Sequence, residues 1–292
     1  MQQAASMEMQ GLVFWESRSS CISHCNRASK IKKAISCIQS FGTLFAYFLN
    51  RMFLSLRGAE TQMRRYVDLE ERNLSKRKLV VCLHGLNNNP TQFKKIIEEL
   101  EKRESFDADI FVPRILERGN AKLDEMTEPI FREIEKWGKT SGDKELTIVG
   151  VSNGGRISRA LEARIVQSKV FGKIKKLRFL SIVGACKGSS LADFAKKFHL
   201  SWLMSRNISE EMPTDSPRSL RLDHEWKSVL SKGSNREYTF IASPHDWQVT
   251  NYSSSLMDIP QGFGHKTRYA IVFGHGHNSI VNAVSKAVAK II

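Results

Sequence analysis

The chain of 292 residues is poor in cysteine, with five, and their number and spacing exclude a disulfide framework. Cys21, Cys25, Cys37, Cys82 and Cys186 follow no regular pattern, the count is odd, and Cys82 falls inside an apolar run that reads as a buried strand. Such usage is compatible with a reducing compartment. Cys21-x-x-His24-Cys25 offers half a metal site, but no second ligand pair follows at useful spacing. No repeat of 20–50 residues is present, so a solenoid or propeller is excluded. There is no zinc finger, RNA-recognition signature or aromatic-basic stripe, and nucleic acid is not an expected partner. A signal peptide of standard form is also lacking: Met1 is followed by uncharged and acidic residues rather than a basic segment next to an apolar core.

Acidic residues are scarce as well. Asp and Glu number 30 against 45 Lys and Arg, leaving a net charge of +15. The excess is uneven: residues 1–78 carry 13 basic against 6 acidic residues, and residues 156–187 carry 9 against 1. A surface of this kind suits an anionic partner such as phospholipid. Residues 1–29 are polar without periodicity and read as a poorly ordered basic tail. From Ala34 to Leu49 there is no charge, and apolar character continues to Leu56. On a helical projection Phe41, Phe45, Phe48, Leu49, Met52, Phe53 and Leu56 share one side, while Gln39, Thr43, Asn50, Arg51 and Ser55 share the other. The pattern predicts an amphipathic helix within residues 30–60, lying along a membrane surface or packed on the rest of the protein. Lys30, Lys32, Lys33, Arg57, Arg64 and Arg65 flank it. The expected location is therefore membrane-associated, or cytoplasmic.

From residue 61 onwards the pattern is of one large domain in which short β-branched runs alternate with helical stretches. Lys78 to Leu83 reads as a buried strand running into His84-Gly85-Leu86. Asn89 is a plausible N-cap with Pro90 first in the helix, followed by an apolar face of Phe93, Ile96, Ile97 and Leu100. Asp109 to Val112 and Leu177 to Val183 read as further strands, with a helix bearing Leu123, Met126, Ile130, Ile134 and Trp137 between them. The focal stretch is Leu146 to Gly155, in which a buried strand delivers Gly150-Val151-Ser152-Asn153-Gly154 into a helix. A serine at the apex of a strand–turn–helix is held in a strained conformation, and glycines on either side avoid collision with strand and helix. Downstream, Phe240-Ile241-Ala242-Ser243 leads to Asp246, and Tyr269 to Phe273 leads to His275 and His277.

Taken together, these segments resemble the lipase and esterase branch of the α/β-hydrolase superfamily over roughly residues 76–292. The resemblance implies an α/β-hydrolase fold, a mostly parallel sheet flanked by helices on both faces. It also implies a Ser, then Asp, then His triad in that chain order. Ser152 would be the nucleophile, Asp246 the acid and His277 the base, with Asp258 and His275 as the alternatives. His277 stands immediately ahead of a helix carrying Ile280, Val281, Val284, Val288 and Ile291. Backbone N–H groups of Leu86 and Asn153 would line the oxyanion hole, and His84 would be structural. Residues 187–232, with Phe194, Phe198, Leu200, Trp202, Leu203 and Met204 outside any strand-like run, read as a small lid-like insertion or as a helical excursion on the core. No metal or organic cofactor is expected: the trio His265, His275 and His277 lacks a carboxylate at a paired helical spacing. The implied activity is cleavage of carboxylic esters, with lipid esters favoured, through an acyl-enzyme. Two other readings fit the same scaffold: a catalytically silent lipid- or protein-binding module, and a thioesterase or amidase using the same triad.

Overall fold

The computed structural model describes residues 6–9, 12–27, 74–199, 204–233, 236–246, 248–249, 251–260 and 262–292. Among the described residues eight strands form one sheet: β1 (Ser6–Met9), β2 (Leu12–Trp15), β3 (Lys78–Leu83), β4 (Asp109–Phe111), β5 (Lys144–Val151), β6 (Ile174–Ile182), β7 (Arg236–Ala242) and β8 (Lys266–Ile271). Their spatial order is β1-β2-β8-β7-β6-β5-β3-β4. Strands β3 to β8 are all parallel, and the β1–β2 hairpin joins the β8 edge antiparallel, with Trp15 opposite Tyr269.

The central strands are apolar along almost their whole length because both sheet faces are covered. In β3 successive residues go to opposite faces, as the two-residue period of a strand requires. Leu79, Val81 and Leu83 enter a core shared with α3 (Leu123–Lys139), α4 (Asn153–Gln167) and α7 (Pro217–Leu230), while Val80 and Cys82 enter a second core shared with α2 (Lys94–Glu101) and α8 (Ile280–Ile291). The helix expected from Pro90 begins as a single 3₁₀ turn, Pro90–Phe93, with the Asn89 side chain accepting from the Thr91 N–H at 2.9 Å. The α-helix proper starts at Lys94.

Two expectations change. Of the stretch read as a poorly ordered tail, residues 6–9 and 12–27 form β1, β2 and α1 (Arg18–Arg27). Phe14 and Cys21 are fully buried, on opposite faces of the sheet, and the Arg18 Nε donates to the Leu256 carbonyl at 2.6 Å. Four-residue strands are too short to announce themselves by periodicity; what orders them is pairing with the β8 edge. Cys21 and Cys25 are thus buried helix residues rather than strays, with the Cys25 Sγ 3.4 Å from the Tyr252 hydroxyl.

The second change concerns residues 187–232. Helix α7 carries Leu222, Trp226, Val229 and Leu230 into the main core and is an integral layer element, the helix that returns the chain from β6 to β7. Only α5 (Ser190–Lys197) and α6 (Arg206–Glu211) stand apart, around a small cluster of Ala185, Ala192, Ile208, Met212 and Val249 against which Leu86 packs. The amphipathic segment of residues 30–60 lies outside the described residues. Among the described residues no helix is long and apolar enough to cross a membrane.

Candidate active site

Parallel α/β sheets gather functional groups beyond the C-terminal ends of their strands. Ser152 is the first residue past β5, Asp246 is four past β7 and His277 is six past β8, so all three emerge at that edge. Ser152 has φ 56° and ψ −121°, a region costing a non-glycine residue about 1–3 kcal/mol. Neighbouring strands hold it there. Its N–H donates to the Ile182 carbonyl at 3.1 Å, and its carbonyl accepts from the N–H groups of Gly155 and Ala185 at 3.0 and 2.9 Å. The turn admits only glycine on either side: a Cβ at Gly154 would stand 1.9 Å from the Leu83 carbonyl oxygen, and one at Gly150 would stand 2.5 Å from that of Gly154.

The His-Gly loop lies against the serine. A Cβ at Gly85 would be 2.9 Å from the Ser152 Cβ and 3.4 Å from its Oγ. His84 is buried and fully committed: its Nδ1 bonds the Gly85 carbonyl at 2.9 Å and its Nε2 accepts the Ile115 N–H at 3.2 Å. Burial lowers its pKa to about 4, so the ring is neutral and serves as a brace for the loop. A second brace was not visible in the sequence. The Asn153 Nδ2 donates to the Gly119 carbonyl at 3.1 Å, the Asn87 N–H to the Arg118 carbonyl at 2.7 Å, and the Asn120 Nδ2 to the Asn87 Oδ1 at 3.0 Å. The segment 116–120 thereby staples the His-Gly loop to the start of α4. Asn153 is the first residue of α4, where N–H groups have no intrahelical acceptor. The Leu86 N–H likewise has no protein acceptor among the described residues. Both amides flank Ser152 in sequence or across the loop.

Asp246 and His277 form a buried pair, with 2.7 Å between Oδ2 and Nδ1. The other carboxylate oxygen, Oδ1, accepts from the N–H groups of Gln248 and Val249 at 2.8 and 3.0 Å, so the carboxylate is held in a defined plane. Such a partner fixes the imidazole with Nε2 turned away from the acid. Of the alternatives, Asp258 is exposed, and the main-chain carbonyl of His275 accepts from the Ser243 hydroxyl. His265 precedes β8 and so stands at the opposite end of that strand from His277, its Nε2 at 2.7 Å from the Leu230 carbonyl. Among the described residues no cluster of three His, Cys, Asp or Glu side chains could hold a metal.

Two solved structures share this arrangement of sheet and helices. Est1E from Butyrivibrio proteoclasticus, solved with ferulic acid bound, is 16% identical, and the match covers 77% of this chain and 92% of that one with a TM-score of 0.50. The gene lin2722 product from Listeria innocua is 15% identical, with 74% and 92% covered and a TM-score of 0.51. The chain has the α/β-hydrolase fold. The profile of the family described as "Putative serine esterase (DUF676)" matches residues 73–203, from ahead of β3 to just past α5. No curated protein sequence matches the chain. The family match spans the turn at Ser152 and the His-Gly loop, and Asp246 and His277 lie beyond it.

Buried groups behind the elbow also escaped the sequence reading. Glu162 accepts from the Trp226 Nε1 at 2.6 Å, from the Arg236 Nη1 at 2.6 Å and from the Tyr238 hydroxyl. Arg159 donates to the Cys186 carbonyl at 2.6 Å, fixing the loop whose Ala185 N–H holds Ser152. The only local signal was charge on the inner face of a helix otherwise apolar there.

Proposed function

We propose that this hydrolase cleaves carboxylic esters through an acyl-enzyme formed on Ser152. The observation that carries the reading is the buried Asp246–His277 pair at the same sheet edge as a strained, glycine-flanked serine. In the proposed cycle the Ser152 Oγ attacks the ester carbonyl carbon while its proton passes to the His277 Nε2. The oxyanion of the tetrahedral intermediate accepts from the N–H groups of Leu86 and Asn153. Collapse expels the alcohol, which leaves with the proton from His277, and a water then hydrolyses the acyl-enzyme by the same relay. Asp246 keeps its charge throughout and stabilises the imidazolium. Lipid esters are favoured over small soluble ones because Leu191, Phe194 and Phe198 are exposed on and just after α5, beside Lys196 and Lys197.

The test is labelling by a fluorophosphonate probe together with hydrolysis of esters of rising chain length. The parent should label, and Ser152→Ala should lose labelling and at least about 10⁴-fold in kcat/KM while remaining folded. His277→Ala should abolish labelling and His275→Ala should keep most of it. The reverse ranking would move the base to His275. A folded parent that neither labels nor hydrolyses would make the chain a binding scaffold rather than an enzyme.

A further inference from the structure

Beside the elbow lies a guanidinium that the proposed cycle does not use. Arg156 is four residues past Ser152, in the first turn of α4, and is 1% exposed. Its Nη2 donates to the Glu211 carbonyl at 2.8 Å, while its Nε and Nη1 are buried without an acceptor among the described residues. Burial lowers its pKa to about 10, which leaves it charged at neutral pH. An enclosed cation with two unpaired nitrogens is costly and calls for an explanation.

A carboxylate already marks the position. The Glu211 Oε2 accepts the N–H of Leu123 at 3.0 Å and stands 3.7 Å from the Arg156 Nη2, beyond hydrogen-bond range. Leu123 is the first residue of α3, a helix of 17 residues whose positive end therefore faces the same oxygen as the guanidinium. The main-chain carbonyl of Glu211 is held by three donors: Arg156, the Ser216 hydroxyl at 2.8 Å and the Ser219 hydroxyl at 3.0 Å. Other nearby cations are engaged elsewhere, Arg218 with Asp124 and Glu225, Arg159 with Asp223 and the Cys186 carbonyl. The Glu211 side chain is 17% exposed against 1% for Arg156, so of the two charged groups the carboxylate is the one nearer to solvent. The next residue, Met212, packs in the cluster that contacts Leu86, placing this segment over the His-Gly loop.

We propose that Arg156 and the Leu123 N–H form a subsite for an anionic group carried by the ester substrate, a carboxylate or a phosphate, which Glu211 occupies in its absence. The proposal rests on the reading of Ser152 as nucleophile. A free anion taking Glu211's place could accept two parallel bonds from the guanidinium, the geometry that suits carboxylate and phosphate, whereas the Glu211 carboxylate stands 3.7 Å away. With four residues of helix rise between them, Arg156 and Ser152 are about 6 Å apart along the axis. The anionic group would thus sit a few bonds from the scissile ester.

The experiment compares mono-p-nitrophenyl glutarate with p-nitrophenyl valerate, acyl chains alike except for the terminal carboxylate. The proteins are the parent, Glu211→Ala and Glu211→Ala combined with Arg156→Met. The glutarate-to-valerate ratio of kcat/KM should rise at least about tenfold in Glu211→Ala and return to the parental value or below in the double variant. In parallel, free glutarate and inorganic phosphate should each raise the melting temperature of Glu211→Ala and not of the double variant, and the larger shift identifies the anion class. If Arg156→Met does not fold, Arg156→Lys keeps the charge without the fork and should fall between. A ratio and a melting temperature indifferent to residues 211 and 156 would overturn the subsite. Should no variant hydrolyse either ester, the nucleophile reading fails on its own, and the anion-dependent melting shift still decides the subsite.

Discussion

At the scale of single residues, the brace at His84 ties a loop to the pH of the medium. Its pKa of about 4 lies below the ordinary histidine value because burial disfavours the charged ring. Above pH ~6.5 neither the folded nor the unfolded chain is protonated at this site, and the stability contribution is complete. As the pH falls towards 4 the unfolded chain takes up a proton that the folded one refuses, and about 3 kcal/mol is lost across that window. Denaturant titrations at pH 7 and pH 4.5 should show this difference shrinking by roughly 2 kcal/mol in His84→Asn, which does not titrate. An equal pH dependence in both proteins would place the acid sensitivity elsewhere. The sequence made His84 structural but gave no sign of Ile115 as its second partner, because that partner is 31 residues away.

At the scale of elements, the N-terminal hairpin with α1 is a cap on the sheet rather than an appendage. It covers the β8 edge, which would otherwise present unpaired backbone groups, and it contributes Phe14 to one core and Cys21 to the other. Burial has pushed the Cys21 thiol up to about 12, so it acts here as a small apolar side chain. Phe14→Ala should cost about 3 kcal/mol, seen as a lowered denaturation midpoint at unchanged slope. Removing residues 1–27 should lower stability further and make the protein prone to association through β8. A truncated protein as stable as the parent would show that the hairpin is dispensable. Helix α7 is the converse case: its place between β6 and β7 suggests an excursion, yet Trp226 stacks under Arg159 at 4.4 Å and donates to Glu162.

For the whole molecule, the dominant property is the net charge of +15, concentrated in residues 1–78 and 156–187. Residues 30–60, which lie outside the described residues, remain a proposal as the membrane-contacting segment. Each well-placed Lys or Arg contributes about 1 kcal/mol of attraction to an anionic surface, and salt weakens it. Co-sedimentation with phosphatidylserine vesicles should therefore be strong at low salt, weaker at 0.5 M salt, as roughly expected from a shortened Debye length, and reduced by deletion of residues 30–60. Cleavage of a short soluble ester should survive that deletion while cleavage of long-chain lipid falls. Vesicle binding indifferent to both salt and deletion would sink the proposal.

The sequence by itself determined the parts of this protein that are local. The strand, glycine-flanked Ser152 and helix are written in ten consecutive residues, since the strained turn has its own composition. The parallel core strands and the closing helix likewise show in apolar runs and a 3.6-residue period. Tertiary structure decided what depends on partners far apart in the chain. Asp246 pairs with His277 across 31 residues while Asp258 is exposed, a pairing that spacing left open. The β1–β2 hairpin exists through the edge it covers, and Arg156 meets Glu211 only because α6 folds back over α4. Long-range hydrogen bonds and burial select among local candidates, and no window of sequence contains both halves of such a pair.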